Sequence, residues 1–339
     1  MQPRRPLRNV FCLVLAGVAT LTMSVAATSE AVAVPSSRTA VAGAVKYFQA
    51  HQQKAGGFAD SGTSATQVTP WVVMAIRAGG GDPATWHRSG GRTTVQYLQQ
   101  VDIGRVAAAG TPRNAATTYA KYILAYKALR RTDLMRSAGA RRIDLVRKLL
   151  AYQDPAKGKF TTGAGGTGDY AAISTTTYAI LALMAAGGSE SRRLKAVGWL
   201  KAQAHDSGGY SWNPGSTPDV DSTGAAIQAL RAGGVSSSSS VVRNALRFMR
   251  DKQRSDGGFA SFSGGSTVES TALAVMGVLA AGQDPTGSAW RRSGHSPSYF
   301  LCGKQAPNGS FYHLGAISSA PLLSTAYAVI ALEKRRLPL

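Results

Sequence analysis

The chain has 339 residues, enough for one large domain or two small ones, and carries 38 lysines and arginines against 17 acids, a formal net charge of +21. Its two cysteines, Cys12 and Cys302, are too few for a disulfide framework. The positive charge sits in short clusters such as Arg130-Arg131, Arg141-Arg142 and Arg192-Arg193, with no interleaved aromatics, and no nucleic-acid module is legible.

The first 33 residues read as a leader. Arg4, Arg5 and Arg8 precede an apolar run from Val10 to Ala27, and Ala31-Val32-Ala33 offers a small-residue cleavage site, with Ala27 as an alternative. Residues 1–33 are therefore expected to be a signal peptide, a retained anchor being the other reading, and residues 34–339 a secreted domain. Cleavage would leave Cys302 as the one thiol, so the domain must hold together through its core. The basic clusters then form either a solvated outer face or a face drawn to an anionic envelope polymer or lipid surface.

From about residue 45 a short phrase recurs: glutamine, polar residues, glycine, aromatic. It runs Gln52 to Phe58, Gln153 to Phe160, Gln203 to Tyr210, Gln253 to Phe259 and Gln305 to Phe311. Apart from one long first gap, the interval is about 50 residues, a repeat signature. After each phrase comes a helix opened by Ser or Thr, with Thr69, Thr117, Thr176, Thr223, Thr271 and Thr325 as register marks. An aliphatic residue follows seven positions later, at Ile76, Leu124, Leu183, Leu230, Val278 and Leu332. These second helices are apolar or small on all sides and end in glycine, as at Gly79-Gly80 and Gly233-Gly234, so protein should surround them. The segment Arg243 to Arg250 has a single apolar stripe and belongs outside. Six units of outer and inner helix predict an all-α fold, an α6/α6 toroid of about twelve helices. The glycine–aromatic phrase is its turn chemistry.

The phrases resemble the repeats of the prenyltransferase and squalene cyclase superfamily, over nearly the whole chain after the leader. The resemblance implies the toroid. It leaves function open among terpene cyclases, prenyltransferase β subunits, thioester domains and cobalamin-binding toroids. Pro218-Asp219-Val220-Asp221-Ser222-Thr223 is similar to the Asp-x-Asp-Asp-Thr motif of proton-initiated (class II) cyclases, which would make Asp221 the acid and Asp219 its supporter. Ser222 replaces an aspartate there, and a hydrogen bond from Ser222 to Asp221 would favour the ionised form. The alternative is capping of the following helix by both acids, which would depress their pKa values. Glu269 falls in the register of Asp221. Trp71, Tyr119, Tyr178 and Tyr327 lie two positions past their marks. They are either an aromatic rim for a ligand, together with Ser222 and Glu269, or packing residues. Cys302-Gly303-Lys304-Gln305 resembles the Cys-Gly-Glu-Gln of thioester domains, with lysine for glutamate. The zinc ligand set of the prenyltransferases is not matched, so no metal or cofactor is expected.

The sequence thus predicts a secreted toroid binding an apolar or isoprenoid-like small molecule in its central depression. The alternatives are a single-domain class II terpene cyclase and a non-enzymatic surface scaffold or thioester-type domain. Oligomeric state is not encoded legibly.

Overall fold

The inner layer comprises α2 (Ala65–Ala78), α5 (Ala115–Ala128), α7 (Ala172–Ala186), α9 (Val220–Ala232), α11 (Val268–Ala280) and α13 (Pro321–Leu332). Each packs on the next, and α13 packs back on α2, so six helices close a ring. The structure is a computed structural model that describes residues 34–109, 115–260, 264–314 and 320–339. The expected signal peptide, residues 1–33, lies outside the described residues. Among those described, no helix is long and apolar enough to cross a membrane.

The outer layer comprises α1 (Ser37–His51), α3 (Thr94–Gln100) with α4 (Ile103–Ala109), α6 (Leu145–Leu150), α8 (Glu190–Lys201), α10 (Ser240–Lys252) and α12 (Pro297–Cys302). There are thus thirteen described α-helices rather than about twelve, because the second outer helix is broken. Val101 is extended there, and the Asp102 side chain accepts the Arg105 N–H at 3.0 Å to start α4. Composition assigns the layers. Val242, Ala245, Leu246 and Met249 form the one buried stripe of α10, whereas nearly all of α11 and α13 is buried. A two-residue hairpin, β1 (Phe259–Ala260) with β2 (Ser266–Thr267), leads into α11.

The repeated phrase is a clamp between layers and between units. Phe58, Phe160, Tyr210, Phe259 and Phe311 are fully buried. Their N–H groups donate to Thr69, Thr176, Thr223, Thr271 and Thr325 Oγ1 at 2.8–3.0 Å. The glutamine reaches further. Gln253 Nε2 donates to Gly257 O in its own turn (3.1 Å) and to Trp290 O before the next outer helix (2.9 Å). Gln52 and Gln153 do the same. Gln305 Nε2 donates to Gly309 O (3.0 Å) and to Ala40 O of α1 (2.6 Å), which seals the last unit to the first. Gln203 departs from this: among the described residues its Nε2 meets Trp199 O alone, at 3.4 Å. The glycine is obligatory where the turn abuts the next unit. Gly257 has φ +84°, and a Cβ there would lie 2.5 Å from Ser296 O.

One register mark is corrected. Arg231 Nε donates to Ala280 O, nine residues past Thr271, and the equivalent Arg77 Nε donates to Ala128 O, nine past Tyr119. In the first, fourth and fifth units the helix-closing bond runs from Gly81 N–H to Ile76 O, Val235 N–H to Leu230 O and Gln283 N–H to Val278 O, seven residues after Thr69, Thr223 and Thr271. In the second unit it runs from Arg131 N–H to Tyr126 O. The residue at the threonine position is therefore Tyr119, not Thr117, and Tyr126 replaces Leu124. Two residues beyond Tyr119, where other units place Trp71, Tyr178 and Tyr327, stands Lys121.

Candidate functional site

The N-terminal turn of α9 carries the two candidate acids in different roles. Asp219 is the N-cap: its Oδ1 accepts the Ser222 N–H at 2.6 Å and its Oδ2 accepts the Ser222 hydroxyl at 2.9 Å. The expected bond from Ser222 to Asp221 is therefore not made, because the hydroxyl has turned back to the cap. Asp221 sits one step inside the helix, and its Oδ1 is buried with no protein partner. Burial pushes the Asp221 carboxyl up to about 6. The Ser270 hydroxyl and His313 oppose that rise, while Asp219 and Glu269 add to it. Burial also raises Asp219, its bonds to Ser222 notwithstanding. Capping was expected to depress both acids, but desolvation outweighs it.

Glu269 occupies the same place on α11, and it is partnered. Its Oε2 lies 2.7 Å from His313 Nδ1, and its Oε1 accepts the Ser324 hydroxyl. Within one register, then, both oxygens of Glu269 are engaged, while Asp221 keeps Oδ1 unpartnered among the described residues.

Asp221 opens onto a cavity of about 390 Å³ whose apolar wall is Ile173, Tyr178, Trp212, Ala225 and Leu273. Thr177 also lines it, and Thr177 Oγ1 is buried without a protein partner. The hollow lies where α9 and α11 present Ala225 and Leu273, in place of the aromatics Trp71, Tyr178 and Tyr327 of three other units. These two helices also approach closely: a Cβ on Gly224 would overlap the Leu273 carbonyl. At the mouth, Trp212 is 41% exposed and packs edge-on against Tyr170, ring centres 5.0 Å apart.

Beside this cavity three aromatic rings pack on one another. Trp71 meets Tyr178 edge-on at 6.2 Å and Tyr327 at 4.7 Å. Since α2 and α7 are not adjacent in the ring, the Trp71–Tyr178 contact spans the hollow. Burial raises the Tyr178 and Tyr327 phenols.

The sequence profile of the prenyltransferase alpha-alpha toroid domain matches residues 92–197 and 188–281, together more than half of the chain. The chain belongs to this family. The fold of this toroid is shared by solved structures of low sequence identity. It is similar to a protein from Actinoplanes (TM-score 0.59, 16% identity, 88% of this chain and 99% of that one). It is similar to the type II terpene cyclase MstE from Scytonema (TM-score 0.57, 13% identity, 88% and 98%). It is also similar to a wild-type glycosidase (TM-score 0.56, 15% identity, 87% and 94%). At these identities the likeness concerns fold alone. A search of curated proteins found no match.

On this toroid the structure gathers Asp219, Asp221, Ser222 and Tyr178 at one cavity, sets Glu269 beside it, and joins Trp71 and Tyr327 to Tyr178. Tyr119 lies apart, 6% exposed and packed on Tyr152 of the outer layer at 6.2 Å. Sequence reasoning missed Trp212, Leu273 and His313. Leu273 alone carried a signal, its place two past Thr271. Cys302 is buried beside Ser37, and the Gln305 amide is engaged with Ala40 and Gly309 as a repeat glutamine.

Proposed function

We propose that this toroid binds an apolar or isoprenoid-like small molecule in the Asp221 cavity, as a protein exported to the cell envelope. The observation that carries the reading is a buried carboxyl at a partly apolar hollow, with one oxygen, Asp221 Oδ1, unpartnered among the described residues. Such a group costs free energy unless a ligand or water satisfies it. The volume lies near the lower end of the ~300–1,000 Å³ usual for small-molecule sites, which favours a short chain over a long one. The exposed Tyr170–Trp212 pair gives a ligand tail an aromatic surface at the mouth. Export rests on the pattern of the first 33 residues, and anionic envelope attraction on the net charge of +21.

A second reading follows from the raised acid itself. A carboxyl raised to about 6 keeps its proton in mildly acidic surroundings. It can then donate that proton to an alkene, as proton-initiated cyclisation requires. MstE, a type II terpene cyclase, shares the fold. Native mass spectrometry of protein purified from its own host should reveal a co-purified lipid-like ligand, and Trp212→Ala should weaken rebinding of that ligand about tenfold or more. Incubation with prenyl alcohols and prenyl arenes then separates the readings. Unchanged recovery supports binding alone, while a cyclic product abolished in Asp221→Asn supports catalysis. Absence of any bound species or product would sink both.

A further inference from the structure

The two-residue shift in the second unit puts a lysine where the other inner helices place an aromatic or an aliphatic residue. Lys121 lies in the wall of a second cavity of about 610 Å³, distinct in its lining from the Asp221 hollow. Its Nζ donates to the Gln67 carbonyl at 3.1 Å, and among the described residues no carboxylate lies within ion-pair distance. Burial pushes the ammonium down to about 8, as expected for a cation left without a counter-charge.

The lining adds Arg105, whose guanidinium makes no hydrogen bond among the described residues, though its charge helps hold the Asp102 carboxyl below its usual range. Asp102 is also in this wall but is already engaged: its Oδ2 accepts Arg141 Nε at 2.5 Å and its Oδ1 accepts the Arg105 N–H at 3.0 Å. Thr66, Thr117 and Thr118 contribute hydroxyls, and Val106 supplies an apolar flank.

We propose that the Lys121 cavity binds a phosphoryl group, with Lys121 and Arg105 as its cationic contacts. A tetrahedral anion offers three or more acceptor oxygens to donors converging from different helices. A carboxylate confines its acceptor sites to one plane, which suits donors spread over α2, α4 and α5 less well. The compact Lys121 ammonium suits a point contact at the base, and the planar Arg105 fork suits a second oxygen pair nearer solvent. The proposal stands independently of the ligand assigned to the Asp221 cavity.

Isothermal titration calorimetry on the full chain after the leader tests this with two probes, inorganic phosphate and hexyl phosphate. Wild type should bind at least one probe. Lys121→Met should lose tenfold or more in affinity, and Arg105→Ala, at an exposed position with little risk to folding, several-fold. Arg243→Ala, which removes a charge from outer helix α10, should change nothing. Equal affinity for the two probes assigns the site to a free phosphate. A tenfold preference for hexyl phosphate assigns it to the headgroup of an amphiphile lying against Val106. No binding of either probe at millimolar concentration overturns the proposal. So does a loss in Arg243→Ala equal to that in Lys121→Met and Arg105→Ala, which would mean diffuse attraction to a basic protein.

Discussion

The glutamine of the repeated phrase should stabilise the ring wherever it bridges two units, and not where it fails to bridge. Gln305→Ala is the sharpest case, because Gln305 Nε2 joins the sixth unit to the first through Ala40 O at 2.6 Å and holds its own turn through Gly309 O at 3.0 Å. Each amide–carbonyl bond contributes ~1 kcal/mol net, so losing both costs about 2 kcal/mol. For a domain of this size, ~2 °C of Tm accompanies each kcal/mol, so the midpoint should fall by about 4 °C. Gln203→Ala is the internal control. Its one Nε2 contact, Trp199 O at 3.4 Å, is long and remains within its own unit, so the loss should stay under about 1 °C. Differential scanning calorimetry at two scan rates reads both variants. Equal destabilisation of the two would refute the bridging role. It would mean that the glutamine acts through local turn packing, which both positions share.

Two further outcomes follow from the site. Asp221 is raised to about 6 against an unfolded value of ~3.9. The folded state therefore binds this proton more tightly, and the stability it confers is fully present below pH ~4 and lost as pH rises to about 6. Two pKa units correspond to ~2.7 kcal/mol, reduced to about 2 by partial exposure to solvent, so Asp221→Asn should exceed wild type in stability by about 2 kcal/mol at pH 8 and match it at pH 4 in urea titrations. A flat difference across that range would remove Asp221 as the titrating group. Gly224→Ala forces α9 from α11, since the added Cβ would overlap Leu273 O and lie 2.8 Å from Leu273 C. Overpacking of this kind costs ~1–3 kcal/mol. Because α9 carries Asp221 and α11 carries Leu273, ligand affinity should fall along with stability; an unchanged melting midpoint would show that the helices part freely.

Much of the ring was legible because a repeat is tested several times over by its own copies. Five glutamine–glycine–aromatic phrases with following threonines fixed the layer order, and those threonines prove to be the acceptors for the aromatic N–H groups. The second unit lacks the phrase, and there the reading slipped by two residues. With no aromatic to anchor it, Thr117 looked as good a mark as any, and Tyr119 was grouped with the other aromatics as rim or packing; it packs outward on Tyr152. Equivalence of Asp221 and Glu269 was legible from spacing. Their different fates were not, because His313 and Ser324 reach Glu269 from 44 and 55 residues away in sequence. The rotation of Ser222 toward Asp219 was also beyond the sequence, since both acids lie within reach of one hydroxyl and local geometry decides between them.

One turn of α9 holds two carboxylates, and capping accounts for only the first. Asp219 satisfies the Ser222 N–H and also takes the Ser222 hydroxyl, so the helix start is complete without Asp221. A second acid in the first turn gains from the helix dipole only where it stays solvated and ionised. Here burial dominates, and the carboxyl is raised toward its neutral form with Oδ1 left unpartnered. The α11 copy shows that the fold can supply partners at this position, because Glu269 has both His313 and Ser324. The difference between these two positions is therefore not a property of the toroid. It goes with the cavity beside Asp221, where Ala225 and Leu273 stand, and a ligand there must shift the first turn of α9 slightly to reach the enclosed Oδ1.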